Sequence, residues 1–157
     1  MKTKTLPLHP SMNRLLFPAR GLVFIPLLLT CFALSEPAQA ISSDDLSARE
    51  AALQWLALVD SGHYRQAFEE QPQRIKAASM GVDYFVKWME TRRIPVGRAR
   101  TRVFYKVAAY HSAKGWPDGN YQQITFKTSF DRKAAGWERV ILTKETGRWQ
   151  VGNYTFQ

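Results

Sequence analysis

Only one cysteine occurs in the 157 residues, and Cys31 lies inside the single long apolar run near the N-terminus. A disulfide framework, a cysteine nucleophile and a thiolate metal site are therefore excluded together for the remainder of the chain. Histidine is nearly as scarce. Beyond residue 40 only His63 and His111 occur, 48 positions apart and without ligand spacing, so no metal site is expected. No Gly-x-Ser-x-Gly, His-Glu-x-x-His, P-loop or dinucleotide fingerprint is present; no cofactor is expected, and catalysis has no positive signal. Nine glycines and eight prolines without a period exclude collagen-like and low-complexity character, and 45% hydrophobic content excludes a disordered chain. Acidic residues are few, 13 against 22 Lys and Arg, for a formal charge of +9.

What is present begins with an address. Residues 21–34 (GLVFIPLLLTCFAL) form one apolar stretch, preceded by Arg14 and Arg20 and followed by Ser35, Glu36, Pro37 and Ala38-Gln39-Ala40. A positive flank, a short apolar run and a small-x-small exit are the three parts of a secretory signal peptide. Fourteen residues at about 1.5 Å each reach only ~21 Å, short of the ~30 Å hydrocarbon layer, and Pro26 interrupts the run. The expectation is cleavage after Ala40 and a periplasmic or secreted product of residues 41–157. Met12 is a plausible true start. A loose lipoprotein box, Leu28-Leu29-Thr30-Cys31, would instead make Cys31 an acylated first residue, but Thr30 is large for such a box. Four of the cations (Lys2, Lys4, Arg14, Arg20) and one acid (Glu36) lie in the leader, leaving 18 basic and 12 acidic residues. A chain of that length makes one domain, able to bury roughly 65% of its unfolded surface.

Ser42-Ser43-Asp44-Asp45 clusters N-cap residues and acids ahead of a stripe of Leu46, Ala52, Leu53, Trp55, Leu56, Leu58 and Val59 at helical spacing. Asp60-Ser61-Gly62 ends that helix. A short helix is predicted over 64–70, broken before Pro72, and a third over 75–91, with Gly81 a weak point inside it. After Pro95 and Gly97 the period changes to two. Ala99, Thr101, Val103, Tyr105 and Val107 alternate with Arg98, Arg100, Arg102, Phe104 and Lys106, which predicts a half-buried strand. Turn residues at 114–120 separate it from a strand over 121–130, a polar turn at 131–136 leads to one over 137–143, and Glu145-Thr146-Gly147 leads to a last one over 148–156. Helices first and turn-linked strands after them predict an α+β domain, with the helices covering one face of a curved four-stranded antiparallel sheet.

The chain resembles the DUF4019 family of exported bacterial domains. The resemblance is carried by Trp55-Leu56, Val59-Asp60-Ser61-Gly62 and Tyr64, then Trp88, Arg93-x-Pro95-x-Gly97-Arg98 and Pro117-x-Gly119-x-Tyr121 leading into Ile124-x-Phe126. Glu138-x-Val140-x-Leu142 and Trp149-x-Val151-x-x-Tyr154 complete it. The order of elements is also similar to the NTF2-like (cystatin-like) superfamily, which implies a roll whose cone often encloses a pocket. Neither resemblance carries a reaction, because folds of this kind host enzymes, binders and scaffolds.

Candidate chemistry concentrates at two places. Asp60, His63 and Tyr64 sit together at a helix end, where NTF2-like enzymes commonly carry an acid, a His or a Tyr; the same residues also suit a helix stop. Arg98, Arg100 and Arg102, spaced by two, are expected on one strand face about 6.5–7 Å apart, a like-charge row suited to phosphate, carboxylate or lipid headgroups, or a solvated edge. Arg93, before the bend, is expected to bond carbonyls at the end of the third helix. Basic and aromatic residues together could suit nucleic acid, but export and the lack of an RRM, OB or zinc-finger signature argue against that partner. Most aromatics fall at core positions, Trp116 in a turn being the expected exception. The reading that follows is an exported binding or interaction domain contacting anionic envelope components. The alternatives are an enzyme using Asp60 or Tyr64, and a structural module that forms a homodimer through its open sheet face.

Overall fold

The computed structural model describes residues 42–112 and 116–157. The expected leader, the Cys31 alternative and Lys114-Gly115 of the expected turn lie outside the described residues. Helix α1 (Ser43–Asp60) starts where the cap residues put it. The Ser42 hydroxyl accepts from the Asp45 amide at 3.0 Å, and the Asp45 carboxylate accepts from the Ser42 amide at 3.2 Å, so two otherwise unpaired donors are satisfied reciprocally. Gly62, at φ 75°, turns the chain out of the helix, and the His63 amide closes back on the Leu58 carbonyl at 2.8 Å. Ala48, Ala52, Trp55, Leu56 and Val59 form the buried stripe. The indole of Trp55 donates to the Ala67 carbonyl at 2.7 Å, which locks α1 to α2 (Tyr64–Glu69).

The single helix expected over 75–91 is two: α3 (Gln73–Ala78) and α4 (Val82–Arg92). Ser79 is extended (ψ 169°), Gly81 sits at φ 89°, and the Gly81 amide donates to the Ser79 hydroxyl at 3.1 Å. A serine that bonds the backbone two residues on and a glycine free to take positive φ together stop the helix. A 3-10 turn at Ile94–Val96 then leads to Gly97 at φ 83°, where an added Cβ would lie 2.6 Å from Asp131 Cβ. Both conformation and space require glycine there.

Strands β1 (Ala99–Tyr110), β2 (Tyr121–Phe130), β3 (Lys133–Thr143) and β4 (Gln150–Phe156) form one antiparallel sheet in the order β1-β2-β3-β4. The β2–β3 turn is only Asp131-Arg132, so β3 starts four residues before the expected position. The helices pack on one face as expected, with α1 against β2, β3 and β4. Between them the interior is filled: Ile124, Phe126, Val140, Leu142, Val151 and Tyr154 of the sheet meet the α1 stripe and Met89 of α4.

β1 departs from simple alternation. Arg100 and Tyr105 are each an extra residue against β2, at two bulges. Between them Arg102 pairs with Thr128 and Phe104 with Phe126, so both face the helices, while Val103 and Tyr105 are 61% and 59% exposed. The row of three arginines expected on one face is therefore divided.

Candidate functional site

The residues that end α1 and α4 meet the middle of the sheet in a connected group of charges. Glu138 lies on β3 between Trp137 and Arg139, on the same face as Val140 and Leu142, and it has no exposed surface. A carboxylate so placed requires donors from every side. Arg102 supplies two, from Nε at 2.6 Å and Nη2 at 3.2 Å. The Thr128 hydroxyl donates at 2.6 Å and the Tyr154 phenol at 2.6 Å. Arg102 also reaches Asp60 at the end of α1, with Nη1 at 2.8 Å and Nη2 at 3.2 Å. Asp60 accepts in addition from Arg93 Nη2 at 2.7 Å. Arg93 is 3% exposed, donates its Nη1 to the Gly97 carbonyl and lies over the Phe130 ring, 4.7 Å from its centre. Two guanidinium groups and two carboxylates thus balance one another, and all four strands and two helices are tied by them.

The protonation of this group follows from its surroundings. Burial opposes the charge on Arg102, but the hydrogen bonds to Glu138 and Asp60 outweigh it and raise its pKa further above the ordinary range. Burial, then the neighbouring Glu138 carboxylate, pushes the Tyr154 phenol far above its ordinary value, so Tyr154 acts as a donor. The Arg93 carbonyl partner is that of Gly97, in the bend after the helix, rather than one at the helix end.

Above this group opens a cleft of about 910 Å³. It brings together Asp60, His63, Tyr64 and Arg98, all singled out in the sequence, with Glu90, Arg93 and Asp131. Exposed Arg65 and Arg132 also line it, as do Val59, Val86 and Ile94. Tyr64 is raised above its ordinary value, first by burial and then by Glu90 and Asp60, with Arg93 opposing. Arg98 is 77% exposed at its side chain and only 3.7 Å from Asp131, while Arg65 pairs with Asp83 at 2.6 Å in a pair that is largely solvated. Arg132 is committed to the carbonyls of Pro95 and Ile94 at 2.8 and 2.6 Å.

The other candidates lie apart. Arg100, on its bulge, pairs with Asp131 and does not line the cleft. Arg102 is beneath it, with 13% of its side chain exposed. His111 Nδ1 is 2.7 Å from Asn120 Oδ1 in the turn before β2. Trp116 packs edge-on against Tyr121, 5.6 Å between ring centres, and closes over Gly152. It is a packing residue like most of the aromatics, against the expectation that set it apart. Glu138 and Thr128 were missed as members of a site. The alternation Glu138, Val140, Leu142 could have found the carboxylate, since a charge in register with core residues needs an equally enclosed cation.

Residues 51–154 match the family described as "Protein of unknown function (DUF4019)", and the chain belongs to that family. No curated protein and no solved structure matches it.

Proposed function

We propose that this chain is an exported, non-enzymatic binding module of NTF2-like kind, and that the cleft beside the end of α1 takes an amphipathic anion. The observation that carries the reading is the convergence of Asp60, Tyr64 and Arg98 on one open cleft that also holds Arg65 and an apolar wall of Val59, Val86 and Ile94. Arg65 and Arg98 are held only by exposed ion pairs, which contribute little and exchange readily for an anionic ligand. The wall would cover the ligand's apolar part. Of the arginines expected to bind an anion, Arg98 remains available; Arg102 is committed to Glu138 and Asp60, and Arg100 to Asp131. The leader supports periplasmic or secreted placement.

An acid–base role for Asp60 or Tyr64 has weaker support. Both Asp60 oxygens already accept from guanidinium groups, and a phenol kept neutral by its surroundings is a poor base. The test is titration with straight-chain carboxylates and alkyl phosphates of increasing length, followed by the amide resonances of Gly62, His63 and Tyr64. Binding should tighten with chain length, and Arg65→Ala with Arg98→Ala should weaken it on the order of tenfold or more. Unmoved resonances at this corner, or equal binding of the corresponding uncharged alcohols, would defeat the reading.

A further inference from the structure

The sheet has a second face, turned away from the helices, and its chemistry differs from that of the cleft. The register identifies the residues on it. Lys127 stands between Val103 and Trp137 in one row across the sheet, and Lys106, Thr125 and Arg139 form the next. Ile141 follows in the row after that. With strands about 4.8 Å apart and same-face rows about 7 Å apart, Lys106, Lys127 and Arg139 fall within roughly 10 Å of one another. No carboxylate among the described residues lies within salt-bridge distance of any of the three, whereas Arg98, Arg100 and Arg102 all have such partners. Among these cations stand Tyr105 and Trp137, ring centres 4.8 Å apart and edge to face, with the Lys106 ammonium 6.0 Å from the Tyr105 ring. Val103 and Tyr105 are the most exposed large apolar side chains of the sheet, at 61% and 59%. The bulge at Tyr105 shifts the alternation beyond it, so that Lys106 pairs with Thr125 and joins Tyr105 on this face, while Val107 pairs with Ile124 and turns to the core.

We propose that this outer face docks the domain on an anionic lipid bilayer. Tryptophan and tyrosine combine an apolar body with a polar tip and favour the headgroup level; lysine and arginine extend aliphatic stems over apolar surface while their charges meet lipid phosphates. An isolated cluster of cations would suit any polyanion, but the exposed Val103 and Tyr105 and the half-buried Trp137 among them add surface that gains by leaving water. A second copy of the chain is disfavoured as occupant because it would set Lys106, Lys127 and Arg139 against like charges. No helix among the described residues is long and apolar enough to cross a membrane. This inference does not depend on the ligand in the cleft, whose lining shares none of these residues.

The experiment compares the full chain with its Lys106→Gln, Lys127→Gln, Arg139→Gln triple variant in sedimentation with phosphatidylglycerol and phosphatidylcholine vesicles. Both proteins carry the same first 40 residues, so their difference reads the sheet face. At about a factor of five per cation, the triple variant should partition on the order of a hundredfold more weakly onto the anionic vesicles. Vesicles with brominated acyl chains should quench part of the tryptophan fluorescence, and Trp137→Phe should remove that part. Because the three cations are exposed or half-exposed, folding of the triple variant is checked by its thermal transition; if it does not fold, Lys127→Glu alone is used and should weaken partition at least several-fold. Equal partition onto both lipids, equal partition of the charge variants, or quenching unchanged in Trp137→Phe would each overturn the proposal. Binding of soluble polyglutamate without any binding of vesicles would overturn it too, assigning the face to an acidic polymer.

Discussion

Glu138 has no exposed surface and four donors on its two oxygens, from Arg102, Thr128 and Tyr154. Removing one charge of such a group leaves the other desolvated without compensation, which typically costs about 3–5 kcal/mol, while replacing a whole buried pair with apolar groups is often close to neutral. Arg102→Met and Glu138→Leu should each lower unfolding free energy by about 3–5 kcal/mol. The double variant should lose less than the two together, with a coupling on the order of 2 kcal/mol or more in denaturant titrations. Additive losses would mean that Asp60, rather than Glu138, is the partner that matters to Arg102. Strand alternation made the inward position of Glu138 legible. It did not make its partner legible, because Arg102 faces inward only through the bulge at Arg100, and nothing in the run Arg98-Ala99-Arg100-Thr101-Arg102 marks which residue is extra.

Elements began and ended where local chemistry is decisive. The Ser42–Asp45 capping box and the Gly62 stop act through neighbours a few residues away, and each lies where the sequence indicates, whereas the last strand begins at Gln150, two residues after the expected start. The helix over 75–91 failed because apolar residues at suitable spacing continued across Ser79 and Gly81, and periodicity alone does not register a residue at positive φ. Two glycines test how far conformation and space each matter. Gly81 has nothing near an added Cβ, so Gly81→Ala should cost only the strain of positive φ, about 1–2 kcal/mol. Gly97→Ala carries the same strain plus a contact with Asp131 Cβ at 2.6 Å, adding about 1–3 kcal/mol. Thermal unfolding of the two should rank them in that order; the reverse order would mean that the Gly97–Asp131 approach relaxes freely.

For the molecule as a whole, buried and half-buried phenols and paired carboxylates set the pH range of stability. Tyr64, Tyr110 and Tyr154 are all raised, chiefly by burial. A phenol raised on folding binds its proton more tightly in the native state. Its contribution is complete below the ordinary value near 10 and declines as pH climbs beyond it. Asp44, held by a hydrogen bond from Lys144 and, against burial, by one from Trp149, and Asp131, held first by the Arg98 amide and then by Arg100, are lowered. Their contribution is present above the ordinary carboxylate value near 4 and is lost as pH falls below it. Denaturant midpoints should therefore form a plateau that drops on both sides, and Tyr154→Phe should shallow the alkaline drop while lowering the plateau by about 1.5–3 kcal/mol. An alkaline limb identical in Tyr154→Phe would show that this phenol does not govern it.

The amino-acid order by itself determined the succession of helices and then strands, the caps, the turns and the α+β class, because those rest on interactions between near neighbours and on the period of apolar residues. It also placed Asp60, Tyr64 and Arg98 among the residues of interest. Only the tertiary structure decided that these three open onto one cleft, that Arg102 turns inward to Glu138, and that Lys106, Lys127 and Arg139 share the opposite face with Tyr105 and Trp137. Two bulges in β1 turned Arg102 inward and Lys106 outward. A single inserted residue reverses every side chain beyond it, at little local cost, and its position is set by the partner strand rather than by the strand's own sequence.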